Sequence, residues 1–469
     1  MKKEKEMKMK SNRREFLRGL GALAAAPAVG GCVSSVPCVA ARRSPNGRLR
    51  VAVIGCGGIA KGTDIPGMAA HKAVEMCAFC DVDLKMLEPL RAEYPKASFY
   101  QNWREMLDKA RPDAVVVATT DHNHCLIMSE VMRRGMHLYG QKPLCRTFSE
   151  CRQLESLAAS SGVVTQLGAQ ITPWECDRHT VELIRGGKIG VVEKVWIFSN
   201  SGYYAKLLPR KWPLSPSPVP ETLDWKGWLE GAPYRPYVAK TYAHFTWRAF
   251  RDFGSGWLGD MGTHLMLPVW LGMELGKTLP LSAKADVFDC GWTGEMKRQY
   301  LPLYSHVTWA FPGVKVSGMK PFEVEWCDGP RDGALPKEFL PEGKADEIAG
   351  NKIDLSVPDL YLPPRAFEAL GKESILGELP IQGRVVKGSD GWLISTHFNK
   401  PPVLLDAKGK RRPLDLPFLD PVGSHHQDFV DCCLYGGKAA TDFGWTTKLT
   451  DWLLLGRKAI DNPGTEVRM

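Results

Sequence analysis

The run Leu49-Arg50-Val51-Ala52-Val53-Ile54 passes directly into Gly55-Cys56-Gly57-Gly58-Ile59-Ala60. This junction constrains the chain more than any other feature. A short β-branched apolar run broken by glycines reads as a buried strand entering a turn. The spacing Gly55-x-Gly57-x-x-Ala60 fits a dinucleotide-binding turn. There the first glycine permits the bend, the second lets the backbone approach a pyrophosphate, and a small third residue lets helix and strand pack closely. Gly58 and Ile59 fall where the next helix starts, so its free amides and dipole face the anion. Asp81 lies 21 residues after Ala60, at the end of a second apolar run, Val74 to Cys80. Alone it would read as a turn or cap residue. After this turn, a carboxylate there accepts both ribose hydroxyls and repels a 2′-phosphate, so NAD is expected over NADP.

A third apolar run, Ala114 to Ala118, ends at Thr119-Thr120, and Leu84 to Tyr94 and Trp103 to Ala110 read as helices. Strands alternating with helices at this spacing predict an α/β fold, a doubly wound parallel Rossmann sheet over residues 49–168. After Gly168 the alternation gives way to strand-like stretches, Val191 to Phe198 and Val307 to Phe311, so a second domain is expected over 169–469. Residues 203–237 carry seven prolines among aromatics and read as a loop packed by its own rings, a lid or an interface. Residues 328–390 are polar and proline-rich, with no assignable element. His425 to Leu434 and Thr447 to Ile460 read as helices folding back on the first domain, with Cys432 and Cys433 as small buried fillers.

Residues 1–48 read as an export leader and linker. Asn12-Arg13-Arg14-Glu15-Phe16-Leu17-Arg18 follows a basic start and precedes an apolar run from Gly19 to Val29, the layout of a removable signal, similar to a twin-arginine leader. Val29-Gly30-Gly31-Cys32 resembles a lipobox, which would anchor a periplasmic protein through a lipid on Cys32. The leader also accounts for the net charge of +9: twelve of 61 basic and three of 52 acidic residues lie in the first fifty, leaving the remainder balanced. Nucleic acid is therefore not an expected partner. The thirteen cysteines show no zinc spacing, so no metal is expected, and no stretch is long enough for a permanent transmembrane helix.

Two further segments, Tyr139-Gly140-Gln141-Lys142-Pro143-Leu144 and Gly259-Asp260-Met261-Gly262-Thr263-His264, together with the glycine turn, resemble the Gfo/Idh/MocA family of sugar and cyclitol oxidoreductases. The resemblance implies a C-terminal α+β domain with an open, mainly antiparallel sheet that carries the substrate site and often pairs subunits, so a homo-oligomer is expected. It places Lys142 near the nicotinamide and the reacting hydroxyl. Asp260 and His264, four residues apart, share one face if helical. The resemblance assigns His264 as base, a role suited to imidazole, with Asp260 orienting it or binding substrate. The family's usual Glu-Lys-Pro is Gln141-Lys142-Pro143 here, which removes one carboxylate beside the nicotinamide, and its often acidic position three after the histidine is Leu267. Thr119, Thr120 and His124 match a loop bordering the cofactor, with His122 as an exposed neighbour, and Gln170 matches a polar residue near the nicotinamide. Trp247 and Arg248 are candidates to stack on and hydrogen-bond a sugar. Taken singly, the lysine would read as a surface charge and the histidine as a core residue.

These features predict an NAD-dependent oxidoreductase acting on a secondary hydroxyl of a sugar or glycoside. Outside the cytoplasm no recycling pool of NAD is expected, so the cofactor should stay bound. An alternative is a glycoside hydrolase that uses NAD transiently, by oxidation and elimination. A third is a non-catalytic sugar sensor.

Overall fold

The structure, a computed structural model, describes residues 47–170, 174–199, 208–209, 212–242, 245–288, 294–302, 304–328, 382–396, 401–416, 419 and 423–469. The leader motif and Cys32 lie outside them, as do residues 203–207 of the proline-rich stretch and 329–381 of the unassigned one.

Six parallel strands form the first sheet: β1 Leu49–Ile54, β2 Val74–Cys80, β3 Ser98–Tyr100, β4 Ala114–Val117, β5 His137–Gly140 and β6 Thr165–Leu167. Their order, β3-β2-β1-β4-β5-β6, is the doubly wound Rossmann order predicted from the strand–helix alternation. Residues 51–54 of β1 and all of β4 are at most 2% exposed, as a parallel strand covered by helices on both faces requires. The chain reverses its direction of travel across the sheet between β1 and β4, so the Gly55 turn stands at the switch point where such sheets bind ligands. The expected helix Leu84 to Tyr94 is instead a 3₁₀ turn, Leu84–Met86, followed by a helix, Glu88–Glu93. Pro89 has no N–H to continue the first turn and is favourable only at the start of the second.

The second sheet has seven strands: β7 Val192–Ser199, β8 Ser282–Phe288, β9 Tyr304–Phe311, β10 Phe322–Cys327, β11 Gln382–Gly388, β12 Gly391–Thr396 and β13 Val403–Asp406. Its order is β13-β12-β11-β7-β10-β9-β8, antiparallel except between β7 and β10. One face packs on the helices Gly256–Gly272 and Phe443–Asp461. Trp452 is at their centre, with ring centroids 6.3 Å from Trp270, 5.7 Å from Trp309 and 5.2 Å from Phe311. Gly456 lets Trp309 come this close, because a Cβ there would meet the indole at 2.4 Å. The Phe443–Asp461 helix begins four residues earlier than its apolar pattern suggests, since the Asp442 side chain accepts from Gly444 N and fixes the entry.

The helix His425–Tyr435, opened by a Ser424/Gln427 capping box, buries Phe429, Val430 and Cys433 in one core with Leu49, Val51 and Tyr139 of the first sheet. Within the proline-rich stretch, Asp224 caps a short helix, Trp225–Leu229, and the rings do pack on one another, Trp225 stacking on Trp228 at 4.8 Å. This segment lies against the Rossmann edge: Leu84 N donates to Thr222 O (3.0 Å), Asp224 N to Val82 O (2.9 Å) and Trp103 Nε1 to Glu230 (2.8 Å). Among the described residues no helix is long and apolar enough to cross a membrane, and no three metal-ligating side chains converge.

Candidate active site

Gly55 adopts φ +85°, and a Cβ on it would lie 2.5 Å from Ala118 O, so no side chain fits where the turn presses on the end of β4. At Gly57 and Gly58 the reverse holds: a Cβ would project into open space. That is the space a diphosphate needs above the turn, and the bare backbone there fits one. Ala60 is fully buried and opens a π-helical turn, Ala60–Asp64, while Ile59 is largely exposed. Asp81 stands at the end of β2 with Oδ2 accepting from Cys56 N (2.8 Å) and Oδ1 from Asp83 N (2.9 Å). These bonds lock the carboxylate beside the turn, where the ribose of a dinucleotide would lie.

The loop after β4 holds Thr119 and Thr120, both half-buried. His124 is buried, with Nδ1 2.8 Å from Pro143 O and Nε2 3.1 Å from Thr119 O. Each nitrogen faces a carbonyl oxygen, to one of which a neutral ring donates, and the ring lies between the Thr119 loop and the Lys142-Pro143 loop rather than presenting itself to a ligand. His122 is buried rather than exposed. Its Nε2 meets Trp228 O at 2.9 Å and its ring packs on Trp228 and Phe253. Burial pushes its pKa down to about 3, which keeps it neutral. Asp121, not singled out from sequence, is buried and accepts from Ser255 N (3.0 Å), fixing the residue before the Gly256–Gly272 helix. Its burial raises its pKa, against the opposing charges of His124 and Arg248.

Lys142 follows β5, and Asp260 lies one turn into the Gly256–Gly272 helix, 118 residues away. They meet: Lys142 Nζ donates to Asp260 Oδ1 at 2.6 Å and to Asp260 O at 2.8 Å. Arg248 Nε approaches the other oxygen, Oδ2, at 3.2 Å. Burial of Asp260 opposes its ionisation, but the two cations outweigh it and hold the carboxyl far below the usual range. Lys142 is left with one of three N–H bonds for a further acceptor. His264, nearly buried, is one turn along the same helix from Asp260.

Arg248 lies over the rings of Trp247 (4.3 Å) and Phe245 (4.5 Å), and Trp247 is only 7% exposed. The Trp247 face thus carries a guanidinium, not an open platform for a pyranose. Gln141 donates through Nε2 to both oxygens of buried Asp64, at 3.0 and 2.9 Å. Gln170 Nε2 reaches Tyr139 OH at 3.5 Å. Sequence reasoning missed Asp64, with its partner His426 (2.9 Å), and the buried ion pair Arg384–Asp177 (2.7 Å). The available signal was weak: an acidic residue in the first turns after the glycines and an arginine beside two valines in an otherwise polar stretch.

Residues 49–169 match the GFO_IDH_MocA family, described as an oxidoreductase family with an NAD-binding Rossmann fold, and residues 177–292 match its C-terminal alpha/beta domain. Together the two stretches span about half of the chain. A D-glucoside 3-dehydrogenase of Escherichia coli is 28% identical over 116 residues, which is 25% of this chain and 33% of that protein. A glycosyl hydrolase family 109 protein of Solibacter usitatus is 31% identical over 121 residues, 24% of this chain and 27% of that protein. The matched stretches cover well under two thirds of these relatives' own lengths. Among solved structures, the WlbA dehydrogenase of Bordetella pertussis, in complex with NADH and UDP-GlcNAcA, aligns with a TM-score of 0.57 at 13% identity, over 90% of this chain and 99% of that one. The aldose-aldose oxidoreductase of Caulobacter crescentus aligns with a TM-score of 0.56 at 14% identity, over 90% of this chain and 100% of that one. At such identities the likeness establishes the fold. The N-terminal domain is an NAD-binding Rossmann domain.

Proposed function

Because this chain belongs to the Gfo/Idh/MocA oxidoreductase family, we propose that it oxidises a secondary hydroxyl of a sugar or glycoside. The observation that carries the reading is the Lys142–Asp260–Arg248 cluster, with His264 one helical turn further on. Bound NAD supplies the hydride acceptor. Asp260 stays ionised, and its two bonds to Lys142 leave that ammonium one N–H with which to hold the reacting oxygen as its charge grows. His264 takes the hydroxyl proton. Arg248, braced on Trp247 and Phe245, keeps Asp260 in place when Lys142 turns toward substrate.

Export by the twin-arginine route and retention of the cofactor belong to the same proposal, because a folded protein can leave the cytoplasm already loaded. Protein purified from its native host, denatured and spun down, should release NAD into the supernatant in stoichiometric amount. A cofactor-free supernatant from active protein overturns the retention.

A redox-neutral hydrolase is the second reading, supported by the family 109 relative. A panel of 4-nitrophenyl glycosides separates the two. Accumulation of an intact keto-glycoside is the expected result; release of 4-nitrophenol without net reduction of NAD supports the hydrolase instead.

A further inference from the structure

The Asp64 carboxylate is wholly buried inside the cofactor domain and joins its own turn to two other parts of the chain. Asp64 itself ends the π-helical turn Ala60–Asp64 that follows the glycines. Both its oxygens accept from Gln141 Nε2, the residue immediately before Lys142. Its Oδ1 also accepts from His426 Nε2 at 2.9 Å, reaching in from the C-terminal helix His425–Tyr435. A carboxylate only accepts, so the His426 ring must carry its proton on Nε2. The surroundings are shaped around these groups. A Cβ on Gly67 would strike the His426 ring at 2.4 Å, and one on Gly168 would strike the Gln141 amide at 2.7 Å. Tyr139 of β5 stacks on His426 at 5.1 Å.

We propose that Asp64 and His426 are positioning residues for Lys142: the carboxylate, anchored by the C-terminal helix, holds the Gln141 side chain and so fixes the loop that presents the lysine. This also gives a physical reason for the amide at position 141. A carboxylate at 141 would stand about 3 Å from Asp64, where two negative charges cannot both persist in a buried site. An amide supplies donors and no charge. The other titratable neighbours offer no relief. Tyr139 is kept protonated by burial and by Asp64's charge, His425 is kept neutral by burial, with its pKa lowered to about 3, and Lys61 on the same turn is exposed. On the outer side of the C-terminal helix, His71 is paired with Asp431 at 3.3 Å.

The proposal rests on Lys142 acting at the reaction centre, and it is tested by moving the charge. Gln141→Glu should weaken NADH binding, followed by its fluorescence, and slow turnover of whichever 4-nitrophenyl glycoside the native chain accepts, each by about tenfold or more near pH 8. Both losses should reverse as the pH falls and the carboxyl pair takes up a proton that can again bridge 64 and 141. Adding Asp64→Asn should restore both quantities to within about threefold of native and remove the new pH dependence, because one carboxylate and one amide again face each other. His426→Gln, which keeps a donor, should retain more of both than His426→Ala. The positioning role is overturned if Gln141→Glu behaves as native near pH 8, or if the double variant is no better than the single one. The NADH arm decides the matter even where no glycoside is turned over, and a chain that still depends on Lys142 but ignores the swap loses this inference alone.

Discussion

Lys142→Ala should lower kcat by about 10³-fold while the chain still retains its dinucleotide. The size follows from what is removed. The ammonium keeps one N–H beyond its two bonds to Asp260, and losing a donor aimed at a developing oxyanion costs about 4 kcal/mol of barrier. The cofactor should remain because the glycine turn and Asp81, which would hold its diphosphate and ribose, are untouched. Lys142→Arg keeps the charge but not the compact point donor, so it should rescue folding and little of the activity. Stability also reports on the pair. A carboxyl whose folded pKa is depressed stabilises the fold above its unfolded value, near pH 4, and loses that contribution only as pH falls through the lower folded value. With Lys142 gone, burial of Asp260 is opposed by Arg248 alone, its folded pKa rises, and the acid limb of the melting curve should move to higher pH. Normal turnover by Lys142→Ala would remove the basis of the proposed chemistry.

The parts of this molecule legible in its sequence are those written in local periods. The β1 run, the glycine turn and Asp81 lie within about thirty residues, and each can be read from spacing alone. The C-terminal helices carried a helical apolar pattern, and Cys432 and Cys433 read as buried fillers, which they are. The family resemblance supplied Lys142, Asp260 and His264, but not how they are held. Nothing in the segment around Arg248 shows that its guanidinium lies on two rings and reaches Asp260, because that contact depends on how a loop and a helix N-terminus pack. His124 illustrates the same limit. Its position beside the Thr119 loop is visible in sequence, whereas the two carbonyls that its nitrogens face come from residues 5 and 19 positions away. Gln141 reads as a missing carboxylate until Asp64, 77 residues earlier, is found against it.

The largest stability loss expected from a residue outside the cofactor domain is that of Arg384→Met. Pro268 lies inside the Gly256–Gly272 helix and has no N–H, so the carbonyl of His264, four residues before it, has no helical donor. Arg384 of β11 supplies one: Nη2 lies 3.4 Å from His264 O, and Nε donates to Leu265 O at 2.6 Å. The guanidinium is completely buried and is balanced by Asp177 at 2.7 Å, itself buried on the helix Glu175–Arg185. Removing it takes the buried cation from Asp177 and a donor from the helix defect at once, a cost of about 3–5 kcal/mol, or a melting point lower by about 10 °C. The double variant Arg384→Met/Asp177→Leu separates the two effects. Replacing the whole ion pair by apolar groups should recover most of the melting temperature. It cannot restore a donor to His264 O, so kcat should stay depressed in a chain that melts nearly as the native one does. Full recovery of both would show that the arginine serves the fold and leaves the placement of His264 to other contacts.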